Sequence, residues 1–273
     1  MPELPEVETV KNTLKGLVLN KKILKVDVYH NNIIAYPSVD EFKEKIKNQV
    51  INDIERRGKW LIFELDDSYL VSHLRMEGKY YLKEKTEELS KHEHVVFDFG
   101  NQELRYHDTR KFGKMYLIDK DKLETSMPIK ELGLEPWDEH LNTGYLKEKY
   151  SHKSIPIKTV LLDQSIITGI GNIYADEILF KSKINPLTKP TNLTEEQLKN
   201  IIKYTRSTLE EAIKLGGTTI KSYESAKGVH GLFQNKLLVH SHAGEACPEC
   251  GNKIIKITVN GRGTYYCEHC QRY

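Results

Sequence analysis

All four cysteines of this 273-residue chain fall within its last 27 residues, as C-P-E-C and, sixteen residues later, C-E-H-C. No other feature limits the fold so tightly. Two C-x2-C knuckles at this separation can bring four thiolates to the corners of a tetrahedron, the geometry that Zn²⁺ takes. The predicted ligands are Cys247, Cys250, Cys267 and Cys270. Four protein donors leave no open position, so the one zinc expected here is structural. The intervening I-I-K-I-T-V-N-G-R-G-T-Y-Y reads as a β-hairpin turning at Asn260-Gly261, which makes the segment a zinc ribbon. His269, inside the second knuckle, is a further candidate donor. Free thiols or two disulfides are the competing reading, but a disulfide framework is normally spread through a short secreted chain.

With 38% hydrophobic and 29% charged residues, the rest of the chain suits one large or two ordinary globular domains. No apolar stretch approaches the roughly 18 residues of a membrane span. The start lacks a basic and apolar leader, which predicts a cytoplasmic protein. The net charge of +2 is unevenly spread. From Asn142 onward Lys and Arg number 18 against 12 acids, whereas the first 141 residues hold 23 against 27. A basic half joined to an acidic one points to a polyanion partner, with an ordinary solvated surface as the alternative.

Periodicity predicts an α+β chain. Y-L-V-S-H-L-R-M, H-V-V-F-D-F-G, E-L-R-Y-H-D and K-M-Y-L-I-D read as strands between polar turns, and S-V-D-E-F-K-E-K-I-K-N-Q as a short helix capped by Ser38 or Asp40. Gly133, Pro136 and neighbouring acids suggest a linker. Beyond it, Thr194 and Gln197 form a capping box ahead of Leu198, Ile201, Ile202, Leu209, Ala212 and Ile213, and Gly216-Gly217 ends that helix. The expected organisation is a domain over 1–131, a linker over 132–141, a helical domain over 142–236 and a zinc finger over 237–273.

Three segments carry chemistry with two readings each. In M-P-E-L-P-E-V-E-T-V, Pro2 fits the first turn of a helix and Glu6 complements its dipole. Alternatively, Pro2 becomes a secondary-amine nucleophile once Met1 is removed. In I-T-G-I-G-N-I-Y-A-D-E, glycines before a helix allow a phosphate to approach its N-terminus, though G-x-G alone is a weak signal. Arg262, between two glycines, is either a turn residue or a bidentate phosphate ligand.

P-E-L-P-E-V-E-T-V, L-L-D-Q-S-I-I-T-G-I-G-N-I-Y-A-D-E-I-L-F and G-R-G-T-Y-Y-C-E-H-C-Q-R occur in that order, from Pro2 to Arg272. Together they resemble the formamidopyrimidine-DNA glycosylase family of bacterial repair enzymes. The start motif resembles that branch more than the related endonuclease VIII branch. The resemblance implies an N-terminal β-sandwich with a catalytic helix, then a helix–two-turn–helix domain ending in the zinc finger. It implies a monomer that acts on damaged double-stranded DNA, excises oxidised purines and cleaves the strand by β- and δ-elimination, with no organic cofactor.

Residue roles follow from the same resemblance. Pro2 is the nucleophile at C1′, Glu3 the general acid/base and Glu6 a supporting acid. Lys59 is assigned to β-elimination and phosphate contact, against an ordinary strand-start lysine. Met76, Arg110 and Phe112 fill the space left by a flipped base, although core Met, core Phe and surface Arg are their separate readings. The H-L-R-M-E-G loop departs from the commoner L-G-M-S-G form by carrying Arg75 and Glu77. Asn172, His92, Lys153 and Lys158 are expected DNA contacts, and Arg262 a finger arginine that also serves δ-elimination. G-G-T-T-I-K-S-Y-E-S-A-K-G-V-H-G-L-F-Q takes the place of a lid over the flipped base. Two rivals stand: a glycosylase of the same fold that prefers oxidised pyrimidines, and a catalytically silent zinc-ribbon DNA-binding protein.

Overall fold

The computed structural model describes residues 1–218 and 231–272. The chain divides into two compact units, Met1–Lys130 with Gly216–Gly231, and Glu131–Leu215 with Leu232–Tyr273.

The first unit opens with α1 (Leu4–Val18), whose Leu4, Val7, Val10, Leu14 and Val18 form one buried stripe. Helix α1 thus starts after Pro2, not on it. Glu3 is the N-cap and Pro5 is the proline of the first turn, where its missing N–H costs nothing. Two sheets follow. One runs in the order β1 (Lys25–Val28), β7 (Glu93–Asp98), β8 (Gln102–His107), β6 (Lys79–Glu84). The other runs β2 (Ile34–Tyr36), β9 (Lys114–Asp119), β5 (Ser68–His73), β4 (Trp60–Glu64), β3 (Asp53–Arg57). All pairings are antiparallel except β2 with β9. Phe42 of α2 (Val39–Ile46), Phe63, Phe97, Tyr106 and Val7, Val10, Leu14 and Val18 of α1 fill the core of this β-sandwich. Ser38 caps α2 by accepting from the Glu41 N–H.

In the second unit, α5 (Asn172–Lys181) is buried from Ile173 to Phe180. It is packed by α4 (Ile157–Leu161), α6 (Glu195–Lys214) and the strand β11 (Arg262–Tyr266), while α3 (Thr143–Tyr150) lies on α6. The capping box of α6 is present: Gln197 N–H donates to Thr194 Oγ1 at 3.2 Å and Thr194 N–H to Gln197 Oε1 at 2.9 Å. Strand β10 (Ile255–Val259) pairs with β11 in register Val259↔Arg262, and Asn260 and Gly261 take the two positive-φ turn positions. The stretch 132–141, expected as a linker, is instead packed into this unit. Leu134 N–H donates to Ile166 C=O, and Arg206 donates to the carbonyls of Pro136, Asp138 and Leu141.

Candidate active site and nucleic-acid surface

At the start of α1, Glu6 returns its carboxylate to the Glu3 N–H at 2.9 Å. Its other oxygen accepts from the Thr218 N–H at 2.7 Å and Thr218 Oγ1 at 3.1 Å. Both partners are buried. Gly217 must be glycine here, because a Cβ would stand 2.6 Å from Glu6 Oε1 and its φ is +78°. Lys59 arrives from the β3–β4 hairpin, a two-residue turn in which Gly58 takes the positive φ. That turn is tied to α1 by Arg56, which donates to Gly58 C=O at 3.0 Å and to Glu8 Oε2 at 2.8 Å. Burial pushes the Glu8 carboxyl up, but Lys11 and Arg56 outweigh it and hold the group below its ordinary range.

The chain's α-amine lies within electrostatic reach of these groups. Burial lowers its pKa, Glu3 and Glu6 pull it up, Lys59 pushes it down, and Glu77 pulls it up. Glu3, Glu6 and Lys59 are 2%, 4% and 5% exposed, so the carboxylates and the ammonium interact with little screening by water. The structure therefore brings together, in one unit, the amine end and three of the residues singled out in the sequence.

His73 was not singled out, although it lies in the same H-L-R-M-E-G stretch. It closes β5 opposite Trp60 and packs edge-on against that ring at 4.6 Å. Burial, then Arg75 and Lys59, drive its pKa down to about 3. Its Nδ1 accepts from the Arg75 N–H at 2.8 Å, which leaves the proton of the neutral ring on Nε2. The sequence shows only a histidine in a strand-like stretch; its place opposite Trp60, next to Lys59, comes from the pairing of β5 with β4.

Met76 is half-buried, whereas Arg110 and Phe112 are exposed, with the Arg110 guanidinium 4.8 Å from the Phe112 ring centre. A large exposed aromatic under a cation suits a surface that meets stacked bases. His92 leads into β7 and packs against His107 at 5.5 Å, its Nδ1 buried without a hydrogen-bond partner among the described residues.

In the second unit, Asn172 donates through Nδ2 to Gly263 C=O at 2.9 Å, beside the exposed Arg262. Asn260 Nδ2 holds the same hairpin to Thr159 Oγ1 at 3.0 Å. Glu177, fully buried, accepts the N–H groups of Leu238, Val239 and His240 and so fixes the lead into the finger. Lys153 is paired with Asp163 at 3.1 Å and half-exposed.

Lys158 requires a correction. Expected on DNA, it has no exposed side-chain surface and donates to Asp176 Oδ1 at 2.6 Å and to Asn172 C=O at 2.8 Å. Asp176 also accepts from His240 at 2.6 Å. Lys158 is an internal strut. Replacing it by methionine leaves Asp176 short of its counter-charge and costs about 3–5 kcal/mol of stability. The salt dependence of DNA binding, measured on the folded fraction, stays unchanged, because no phosphate contact is lost.

The four cysteine sulfurs lie within 4.8 Å of one another, the only such cluster among the described residues. Cys247 and Cys270 are 3.8 Å apart and Cys250 and Cys267 3.5 Å. Both distances exclude a disulfide, whose sulfurs stand about 2.05 Å apart. They match a tetrahedron with bonds of about 2.3 Å to zinc, whose edges are about 3.8 Å. The Asn252 side chain donates to Cys250 Sγ and lowers that thiol's pKa, which favours the thiolate a metal needs. The residues fit one structural zinc.

Family comparisons match three successive segments of the chain. The formamidopyrimidine-DNA glycosylase N-terminal domain matches residues 1–115, the H2TH domain of the same enzymes 132–224, and the zinc finger found in FPG and IleRS 244–272. The architecture is that of a helix–two-turn–helix DNA glycosylase. Formamidopyrimidine-DNA glycosylase of Cytobacillus firmus is 48% identical over 99% of this chain and 100% of its own. A point mutant of Lactococcus lactis FPG, solved with Fapy-dG-containing DNA, superposes with a TM-score of 0.94 at 38% identity over the whole of both chains. The wild-type Lactococcus lactis enzyme with an oxidised-pyrimidine-containing DNA gives 0.92 at 39%, again over both whole chains. The chain belongs to the formamidopyrimidine-DNA glycosylase family.

Proposed function

We propose that the protein is a bifunctional DNA glycosylase and AP lyase of base excision repair that removes oxidised purines, 8-oxoguanine and formamidopyrimidines, from double-stranded DNA. The observation that carries this reading is the cluster of buried residues at the start of the chain, where Pro2 precedes Glu3 and where Glu3, Glu6 and Lys59 all act on the Met1 amine that adjoins Pro2. Met1 is removed first, because an acylated proline nitrogen is an amide. The freed Pro2 lone pair then attacks C1′, and the electron pair of the glycosidic bond leaves with the base. Glu3 supplies a proton to O4′ as the sugar ring opens. The resulting iminium has no N–H to lose and acidifies the C2′ proton. Its removal, the step assigned to Lys59, expels the 3′-phosphate, and a second elimination, assigned to Arg262, expels the 5′-phosphate.

Neutral His73 offers its Nε2–H to a phosphate without carrying a charge into the buried site. His92, Lys153, Asn172 and Arg262 hold the backbone, while Met76, Arg110 and Phe112 enter the stack. The expected lid falls mostly on residues 219–230, outside the described residues. No helix among the described residues is long and apolar enough to cross a membrane, and the proposed place of action is the cytoplasmic nucleoid, as a monomer.

Borohydride trapping on a duplex carrying 8-oxoguanine opposite cytosine, followed by peptide mapping, tests the chemistry. The expected adduct lies on the Pro2 nitrogen. Trapping at a lysine, or none at all with Met1 absent and binding intact, overturns the mechanism. The Lactococcus lactis complex with an oxidised pyrimidine favours a second, wider substrate range, which a duplex bearing such a lesion reads directly.

A further inference from the structure

The two residues that depart from the commoner loop form, Arg75 and Glu77, lie next to Met76. We propose that Glu77 is a positioning residue: it joins the Met76 loop to the Arg110–Phe112 loop, so that the two act as one wedge and Arg110 keeps a fixed aim at the base left opposite the lesion. The inference rests on the wedge role proposed above for these loops.

Both loops stand on one floor. A Cβ at Gly78 would lie 2.2 Å from Tyr106 Oη and one at Gly113 1.8 Å from it, so the two loops close onto the same hydroxyl from either side. Tyr106 packs against Tyr80 at 5.1 Å, and Tyr80 Oη is 2.7 Å from Ser72 Oγ. Asp108, fully buried, templates the second loop: its carboxylate accepts the N–H groups of Arg110, Phe112 and Gly113, each at 2.9 Å. The Tyr106 hydroxyl donates to the same carboxylate at 3.4 Å. At the surface, Thr109 Oγ1 donates to Glu77 Oε2 and closes the gap between the loops. Arg75 holds a left-handed φ of +53° while its N–H is engaged by His73.

A carboxylate on a surface that meets DNA weakens binding by repulsion. What Glu77 adds is an acceptor that reaches further across to Thr109 than a serine at the same place. The consequence falls on Arg110, adjacent to Thr109. An unpaired cytosine presents two acceptors, N3 and O2, which a guanidinium fork can satisfy together. Adenine presents one acceptor beside a donor. Arg110 separates the two only while its direction is held.

The test is equilibrium binding to duplexes carrying an uncleavable abasic analogue opposite cytosine or adenine, for wild type, Glu77→Ala, Glu77→Gln, Thr109→Val and the double variant Glu77→Ala/Thr109→Val. The cytosine-over-adenine affinity ratio falls about two- to tenfold in Glu77→Ala and Thr109→Val, the span of one hydrogen bond. It stays within about twofold of wild type in Glu77→Gln, whose amide oxygen still accepts. The double variant falls no further than either single one. An unchanged ratio in Glu77→Ala, equal weakening on both duplexes, or additive losses each overturn the proposal. Binding needs no chemistry, so a failure of the glycosylase reading shows in the trapping experiment and leaves this one decisive.

Discussion

Replacing Pro2 by glycine slows single-turnover excision of 8-oxoguanine by about 10²-fold or more while duplex affinity changes little. Glycine still offers an amine once Met1 is gone, so the loss isolates what proline adds. Its ring ties the nitrogen back to the side chain and holds it in place, and misplacing a reacting group by about 1 Å can cost 10²-fold. The imine formed by glycine is primary-derived and can lose its proton, so its pull on C2′ weakens, whereas the proline iminium stays cationic. Both effects act on the chemical steps. The α1 cap survives, because it depends on Glu3, Pro5 and Glu6. Single-turnover rates with matched binding curves decide the matter. Equal rates, or a loss confined to affinity, would remove Pro2 from the chemistry. Glu3→Gln should likewise slow excision with binding retained, which a silent DNA-binding protein would not show.

The second large effect is on the finger. Changing Cys250 to serine, or stripping the metal with a chelator, lowers DNA affinity by about 10²-fold or more while the β-sandwich stays folded. Structural zinc contributes about 10–16 kcal/mol of apparent binding free energy in small finger peptides, so its loss unfolds the segment that it closes. The apolar support there is small: Phe180, Val239, Cys247, Ile254 and Cys267 form the buried cluster, and two of the five are ligands. Without it, the β10–β11 hairpin loses its base, and Arg262 and the Asn172–Gly263 bond lose their setting. Zinc content, thermal melting and binding at fixed salt test this together. Full affinity in a metal-free chain would sink the structural role.

How far the fold was legible depends on whether a signal is local. The α6 capping box, the Asn260-Gly261 turn and the cysteine tetrahedron each needed only neighbours in sequence, and each appears as expected. The first helix was harder, since M-P-E-L-P-E offers two prolines. Either could occupy the first turn, and the reciprocal Glu3–Glu6 pairing selects Pro5. Residues 132–141 have a linker's composition, but their carbonyls are claimed by Arg206, some seventy positions away. Lys158 shows the same limit. Nothing beside it in I-P-I-K-T-V reveals that Asp176 will be its partner in a dry interior. His73 was visible as a residue, but its depressed pKa is a product of burial that only the folded sheet creates. The residues proposed as catalytic at the N-terminus were legible through motif, not through periodicity.

The bond between Glu6 and Thr218 spans 212 residues. The first unit is discontinuous in sequence, with Gly216 to Thr218 returning to a body begun at Met1. On the ribosome, the amine end emerges first, yet its carboxylate partner stays half-satisfied until the whole helical segment has been synthesised. A nascent chain that stops short of Thr218 therefore lacks part of the enclosure around its start. The end proposed to react is made first, yet the contacts that enclose it are complete only once residue 218 has been added.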